Sequence, residues 1–202
     1  NKTGFGHLRL QIIGDQIDGS QPMVSYNDRY IIVFNGEIYN FKLLSKQFFA
    51  DANFKSDTRL LIELFVLLGD SFVDYLEGMF AFVIYDKVLD NWFAYRDRFG
   101  IKPLFYYQDS NITIVSSEII SFKYFVELEV DSDSVIEWKK FRRCCPNYTF
   151  YKHIYEVLPG YCKTGSEHKA WYDLIPSDSN FCLETSLSEV VIDHLCSDVD
   201  VT

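Results

Sequence analysis

The run Tyr30-Ile31-Ile32-Val33-Phe34 stops at Asn35-Gly36. Branched and aromatic residues in an unbroken row read as a buried strand. Asn-Gly is the strongest short-range hairpin signal, because a type I′ turn needs positive φ at both central residues. Taken alone, the pair predicts a type I′ turn between two strands. Shortly after it, the stretch Phe41 to Phe49 has helical spacing, with Phe41, Leu44 and Phe48 on one face.

The rest of the chain alternates between such signals. Gly6 to Ile13 reads as a strand carrying Arg9, and Asp15 to Asn27 as a polar, turn-rich segment with a tight bend at Ser20-Gln21-Pro22-Met23. Ser56-Asp57-Thr58 can cap a helix over Arg59 to Leu68. Gly69-Asp70 ends it, and a shorter helix through Phe72 and Leu76 follows. Phe80 to Tyr85 and Trp92 to Tyr95 flank a turn, as do Leu104 to Tyr107 and Ile112 to Val115, so two hairpins are expected. A helix is expected from Ser116-Ser117 to Phe125, and another after a cap in Asp131 to Asp133. Tyr148 to Val157 and Tyr161-Cys162-Lys163 read as strands. Asp173 to Asn180, with Pro176, reads as a linker, and Leu183 to Leu195 as an amphipathic helix with Leu187, Val190, Val191 and His194 on one face. No βαβ rhythm appears. The class is α+β, with antiparallel sheets packed together and helices outside.

Composition narrows the function. At 202 residues and 48% hydrophobic, the chain holds one good-sized domain, or one plus a fragment. Twenty-nine acidic against 19 basic side chains give a net charge of -10, and no basic stripe is present, which argues against nucleic acid. The longest apolar run, Leu64 to Leu68, is far too short to span a bilayer, so no membrane partner is expected. No signal peptide opens the chain, and a cytoplasmic location is expected. The five cysteines, at 144, 145, 162, 182 and 196, are odd in number, and no pair has zinc-finger spacing. They are expected to be reduced thiols, with no metal.

Four motifs change the reading of Asn35-Gly36. His7-Leu8-Arg9-Leu10, Asn35-Gly36-Glu37-Ile38-Tyr39-Asn40, Ser56-Asp57-Thr58, and Arg96-Asp97-Arg98-Phe99-Gly100-Ile101-Lys102-Pro103-Leu104 occur in this order. Together they resemble the class II (N-terminal nucleophile) glutaminase domain of the asparagine synthetase family. The resemblance runs from about Gly4 to the last residue. It implies an N-terminal-nucleophile-hydrolase-like αββα sandwich of two antiparallel sheets flanked by helices over residues 1–175, lacking its N-terminal part. Residues 176–202 would be a linker and the start of a second α/β, ATP-dependent domain.

The implied activity is hydrolysis of glutamine to glutamate and ammonia, the ammonia passing to an ATP-activated carboxylate, as in aspartate to asparagine. In the family an N-terminal cysteine is the nucleophile and its own α-amine the base, an amine that titrates near 8. By resemblance, the Asn35 side chain and the Gly36 N–H form the oxyanion hole. Arg9 pairs with the α-carboxylate of glutamine, and Glu37 and Asp57 receive its α-ammonium. Read from the residues alone, Arg9 is a surface strand arginine and Asp57 a helix-capping residue. The Asp97 to Leu104 run is read as architecture, a turn at Gly100 and a rigid Pro103, with ligand holding by Arg96, Arg98 and Lys102 as the lesser reading. ATP and Mg are implied for the second domain and no cofactor for these residues. A homodimer is also compatible.

The sequence departs from the family in places. No N-terminal cysteine is present, Arg59 stands where an acidic residue is usual, and Cys144-Cys145-Pro146 replaces a more glycine-rich loop. Ser197-Asp198-Val199 matches the entry to the synthetase domain, but Asp200 and Thr202 replace proline and glycine. The alternatives kept open are a class II amidotransferase acting on another acceptor, such as a sugar acid, polysaccharide or antibiotic precursor, and a catalytically dead glutaminase-like regulatory module.

Overall fold

The structure is a computed structural model that describes residues 2–8, 19–50, 54–165, 167–175 and 182–194, without the side chains of 193 and 194. Nine strands and four α-helices are present among these residues, in the order β1 (Met23–Val24), β2 (Tyr30–Ile38), α1 (Phe41–Phe48), α2 (Asp57–Leu68), β3 (Gly78–Asp86), β4 (Asn91–Arg96), β5 (Phe105–Gln108), β6 (Thr113–Ser116), α3 (Ser132–Phe141), β7 (Ile154–Glu156), β8 (Tyr161–Thr164), β9 (Glu167–Ala170) and α4 (Leu183–His194). Two 3-10 segments, Gly69–Tyr75 and Ile119–Tyr124, join them.

The strands form two antiparallel sheets: six strands in the order β1-β2-β3-β4-β8-β9, and three in the order β6-β5-β7. The larger sheet buries apolar side chains on both faces. One face of β2 and β3 carries Ile32, Phe34, Ile38, Phe80, Phe82 and Ile84, which are buried against Phe41 and Leu44 of α1 and Leu60, Leu61 and Leu64 of α2. The other face carries Ala81, Val83, Ala94 and Trp92, which pack on Tyr106, Val115 and Tyr155 of the small sheet. The expected α+β class, with sheet packed on sheet, is therefore what forms.

The type I′ turn at Asn35-Gly36 does not form. Strand β2 runs straight through the pair, and β3 pairs with its whole length, Asn35 opposite Ala81 and Gly36 opposite Phe80. A long-range partner strand outweighs the local turn preference. Two glycines make the close approach feasible. A Cβ at Gly36 (φ +143°) would stand 2.1 Å from the Met79 carbonyl oxygen, and one at Gly78 (φ +151°) 2.1 Å from that of Glu37.

Other differences are local. The expected helix from Ser116 to Phe125 is the 3-10 segment Ile119–Tyr124, and the one through Phe72 is the 3-10 segment Gly69–Tyr75. Tyr148 to Val157 is not one strand, because the Thr149 hydroxyl accepts from Tyr151 N at 3.1 Å and donates to Ile154 O at 2.8 Å, bending the chain before β7. Helix α4 forms with Leu187, Val190 and Val191 exposed. The expected strand around Arg9, the Asp173 to Asn180 linker, Cys196 and Ser197-Asp198-Val199 fall wholly or mostly outside the described residues, as does the His194 side chain.

Candidate active site

In an antiparallel ladder the backbone groups of successive residues point to opposite neighbours. Tyr39 N donates to Glu77 O at 2.8 Å and Lys87 N to Arg29 O at 3.0 Å, so odd residues of this stretch face β3. The even residues face the outer edge of β2. Among the described residues, only Met23 and Val24 of β1 pair along that edge, opposite Ile32 and Ile31. Beyond them side chains replace a strand. Phe34 N donates to Gln21 Oε1 at 2.6 Å, and Ile38 N donates to Asp57 Oδ2 at 3.2 Å. Between these two rungs the Gly36 N–H points outward, with no Cβ beside it.

Asp57 arrives there because Ser56 caps α2, its side chain accepting from Arg59 N at 3.2 Å. The capping role that residue-level reading gave Asp57 belongs to Ser56. Asp57 turns its carboxylate to the strand, is 6% exposed, and also accepts from Thr58 N at 2.7 Å. Asn35 and Glu37 are two residues apart on β2, so they project from the face opposite Phe34 and Ile38. Glu37 is buried and Asn35 half-buried. The structure thus brings Asn35, Gly36, Glu37 and Asp57 to one end of one strand. Arg9 lies outside the described residues.

Arg96, Asp97 and Arg98 are tied into the fold by hydrogen bonds to the backbone. The buried Asp97 carboxylate accepts from four backbone N–H groups: Phe80 at 3.2 Å, Phe99 at 3.0 Å, Ile101 at 2.9 Å and Lys102 at 3.0 Å. The Arg96 guanidinium, 6% exposed, donates to Lys102 O at 2.8 Å, Val157 O at 2.7 Å, Gly100 O at 2.8 Å and Glu156 at 2.6 Å. Arg98 donates to Leu76 O at 2.5 Å and lies over the rings of Trp171 and Tyr172. Asn40 is tied in as well, joining Tyr75 O at 2.9 Å and Glu77 N at 3.1 Å to the start of α1. Sequence reasoning missed Gln21, whose signal was only its place in a tight bend. Arg59, the departure after Ser-Asp-Thr, ties α2 to β1 by donating to Val24 O at 2.6 Å and to Glu63 at 3.2 Å.

The internal thiols lie on other elements. Burial pushes the Cys162 thiol up to about 12, and Cys144 is raised by burial as well. Cys145 is raised by its hydrogen bond to Glu137. His168 pairs with Lys163, not Cys162, across β8 and β9, so Cys162 and His168 project to opposite faces of the sheet. A cavity of about 760 Å³, lined by Asp70, Phe93, Tyr95, Cys162, Lys169 and Trp171 among others, includes none of Asn35, Gly36, Glu37 or Asp57. Among the described residues, no group of three His, Cys, Asp or Glu side chains is placed to hold a metal ion. No helix among them is long and apolar enough to cross a membrane.

Comparison with known proteins gives the same picture. A glutamine amidotransferase domain model matches residues 1–172. The chain is 34% identical over 172 residues to a putative glutamine-hydrolysing asparagine synthetase 2 of Methanocaldococcus jannaschii, covering 76% of this chain and 33% of that protein. It is 36% identical over 164 residues to an amidase of Gibberella zeae, covering 79% of this chain and 24% of the relative. Against asparagine synthetase 2 of Bacillus subtilis the identity is 42% over 123 residues, 60% of this chain and 16% of that one. The chain thus spans a third or less of the length of these relatives. Among solved structures it resembles the glutamine phosphoribosylpyrophosphate amidotransferase of Bacillus subtilis, with a TM-score of 0.56 and 21% identity over 78% of this chain and 33% of the other. At that identity the likeness speaks to fold, and it agrees with the N-terminal-nucleophile-hydrolase architecture expected from the sequence.

Proposed function

We propose a function from one premise: the chain belongs to the glutamine amidotransferase domain family. In this reading the domain hydrolyses glutamine to glutamate and ammonia. The observation that carries it is the pair of outward rungs at the edge of β2, Phe34 N to Gln21 and Ile38 N to Asp57, between which the alternation of the ladder puts the Gly36 N–H, flanked by Asn35 and Glu37.

The chemistry follows from those groups. A thiolate attacks the side-chain amide carbon, and the carbonyl oxygen takes up the negative charge. The Gly36 N–H and the Asn35 amide N–H donate to it, which lowers the barrier because both are in place before the charge develops. The nucleophile is an N-terminal cysteine upstream of Asn1, whose free α-amine takes the thiol proton and returns it to the departing ammonia. The raised Cys144, Cys145 and Cys162 thiols suit this role poorly. Water then cleaves the thioester and releases glutamate. Glu37 and Asp57 meet the α-ammonium of glutamine, and Arg9 its α-carboxylate in a forked pair.

The acceptor lies outside these residues. We assign the ammonia to an aspartate carboxylate activated by ATP and Mg on a second domain that begins at about residue 176, and the protein to the cytoplasm. The identity to asparagine synthetases supports this. A different acceptor is the second reading, favoured by amidases of Gibberella zeae and Penicillium rubens at 36% and 34% identity.

Arg9→Ala tests the glutamine reading. A lost charge-assisted pair costs roughly 2–3 kcal/mol, on the order of a hundredfold in glutamine KM. Steady-state glutamate release by the full-length polypeptide measures it. A KM equal to that of the unaltered protein would leave Arg9 a surface strand residue.

A further inference from the structure

We infer that Gln21 is a positioning residue for the glutamine site, holding Gly36 and Asp57 in register through its side-chain amide; the inference rests on the glutaminase reading above. Strand β1 leaves the edge of β2 after Ile32, and among the described residues no strand continues along that outer edge to Phe34, whose other side is paired with Phe82 of β3. Gln21 Oε1 takes that place, accepting from Phe34 N at 2.6 Å. The next outward donor along the edge is the Gly36 N–H. Satisfying Phe34 fixes the strand one rung before it, as Asp57 Oδ2 fixes it one rung after, at Ile38.

The same amide reaches α2. Gln21 Nε2 lies 3.4 Å from Thr58 Oγ1, and Thr58 Oγ1 lies 3.4 Å from Asp57 Oδ1. These outer links are longer than the first, but their direction is forced. An amide NH2 only donates, a hydroxyl can accept it and give its own proton onward, and an ionised carboxylate only accepts. The chain therefore runs one way, from Phe34 N–H to Gln21, from Gln21 to Thr58, and from Thr58 to Asp57. Thr58 is 3% exposed, which shields the link from water. One side chain joins the strand bearing the oxyanion donor to the helix start bearing the ammonium acceptor.

Two conservative variants break the link at different points. Gln21→Glu keeps an acceptor for Phe34 but offers no donor to Thr58. Thr58→Val keeps the shape and removes the hydroxyl. Glutamate release by the full-length polypeptide, measured against glutamine concentration, should show KM raised roughly tenfold in each, as for loss of one hydrogen bond to a charged group, with kcat within about twofold. The double variant should be no worse than the worse single one, since both cut one path. Thr58→Ser should restore the native KM. Native KM values in both variants, additive effects, or a fall in Tm alone would make Gln21 a packing residue and overturn the inference. Asp57→Asn separates the two readings: if it raises KM while Gln21→Glu and Thr58→Val do not, only this inference fails; if it leaves KM unaltered, both fail.

Discussion

Gly36 shows how much can depend on the absence of one carbon. At its φ of +143° an added Cβ would meet the Met79 carbonyl oxygen at 2.1 Å, a backbone atom that cannot swing aside. Gly36→Ala must therefore push β2 away from β3 and displace the outward N–H. We expect roughly 2–3 kcal/mol of lost stability from strain at this position, a Tm fall of about 5–10 °C for a chain of this size. Thermal unfolding followed by circular dichroism measures it, and a Tm unchanged within about a degree would contradict the close approach. The sequence held the right residue for a different reason. Asn-Gly reads as a turn in any local window, and nothing nearby reveals Gly78, the glycine that lets β3 lie against it. Asp57 was legible as an acidic residue at a helix start, but its turn toward Ile38 N depends on where α2 packs. Gln21 was invisible, since its partners Phe34 and Thr58 are brought to it only by the fold.

Elements with a strong local signal were readable, and those held by distant partners were not. Helix α2 begins where Ser56-Asp57-Thr58 says it should, and its apolar spacing buries Leu60, Leu61 and Leu64. Strand β9 was missed because Glu167-His168-Lys169 has no apolar alternation, yet β8 pairs with it along its whole length. His168 is the half-buried residue of that strand, with exposed neighbours on either side. It packs edge-on to Tyr161 at 4.9 Å between centroids, and its Nε2 accepts from Leu158 N at 3.4 Å. Burial, and then the Lys163 charge, hold its pKa below the ordinary value. The sign follows from linkage. As pH falls through the unfolded value of about 6.5, the unfolded chain binds a proton that the folded chain refuses, so stability drops. Above that pH the group is neutral in both states and contributes no slope. His168→Gln should flatten the decline below about pH 6.5 relative to the native protein, as read from urea midpoints. An identical decline in both would mean that His168 is not held neutral.

Across the whole molecule the fold class was legible because the two hairpins, β3–β4 and β5–β6, announce themselves by composition and turns. The order of the strands was not, since it places β8 beside β4 and β7 beside β5 across long stretches of chain. The Arg96 to Lys102 run explains part of that assembly. Asp97 holds the start of β3, Arg96 reaches Val157 before β8, and both charges are buried among backbone groups. These contacts join the large sheet to the segment that leads back to it, and they leave Asn35, Gly36, Glu37 and Asp57 together at one strand end.

The central claim is that this strand end hydrolyses glutamine, and the rate of glutamate release by the full-length polypeptide carrying Asn35→Ala tests it most directly. Removing one oxyanion donor should lower kcat by roughly 100- to 1000-fold while KM changes far less. Thermal unfolding should stay close to that of the native protein, because Asn35 keeps its backbone place opposite Ala81. A kcat equal to the native value in a folded Asn35→Ala protein would contradict the account.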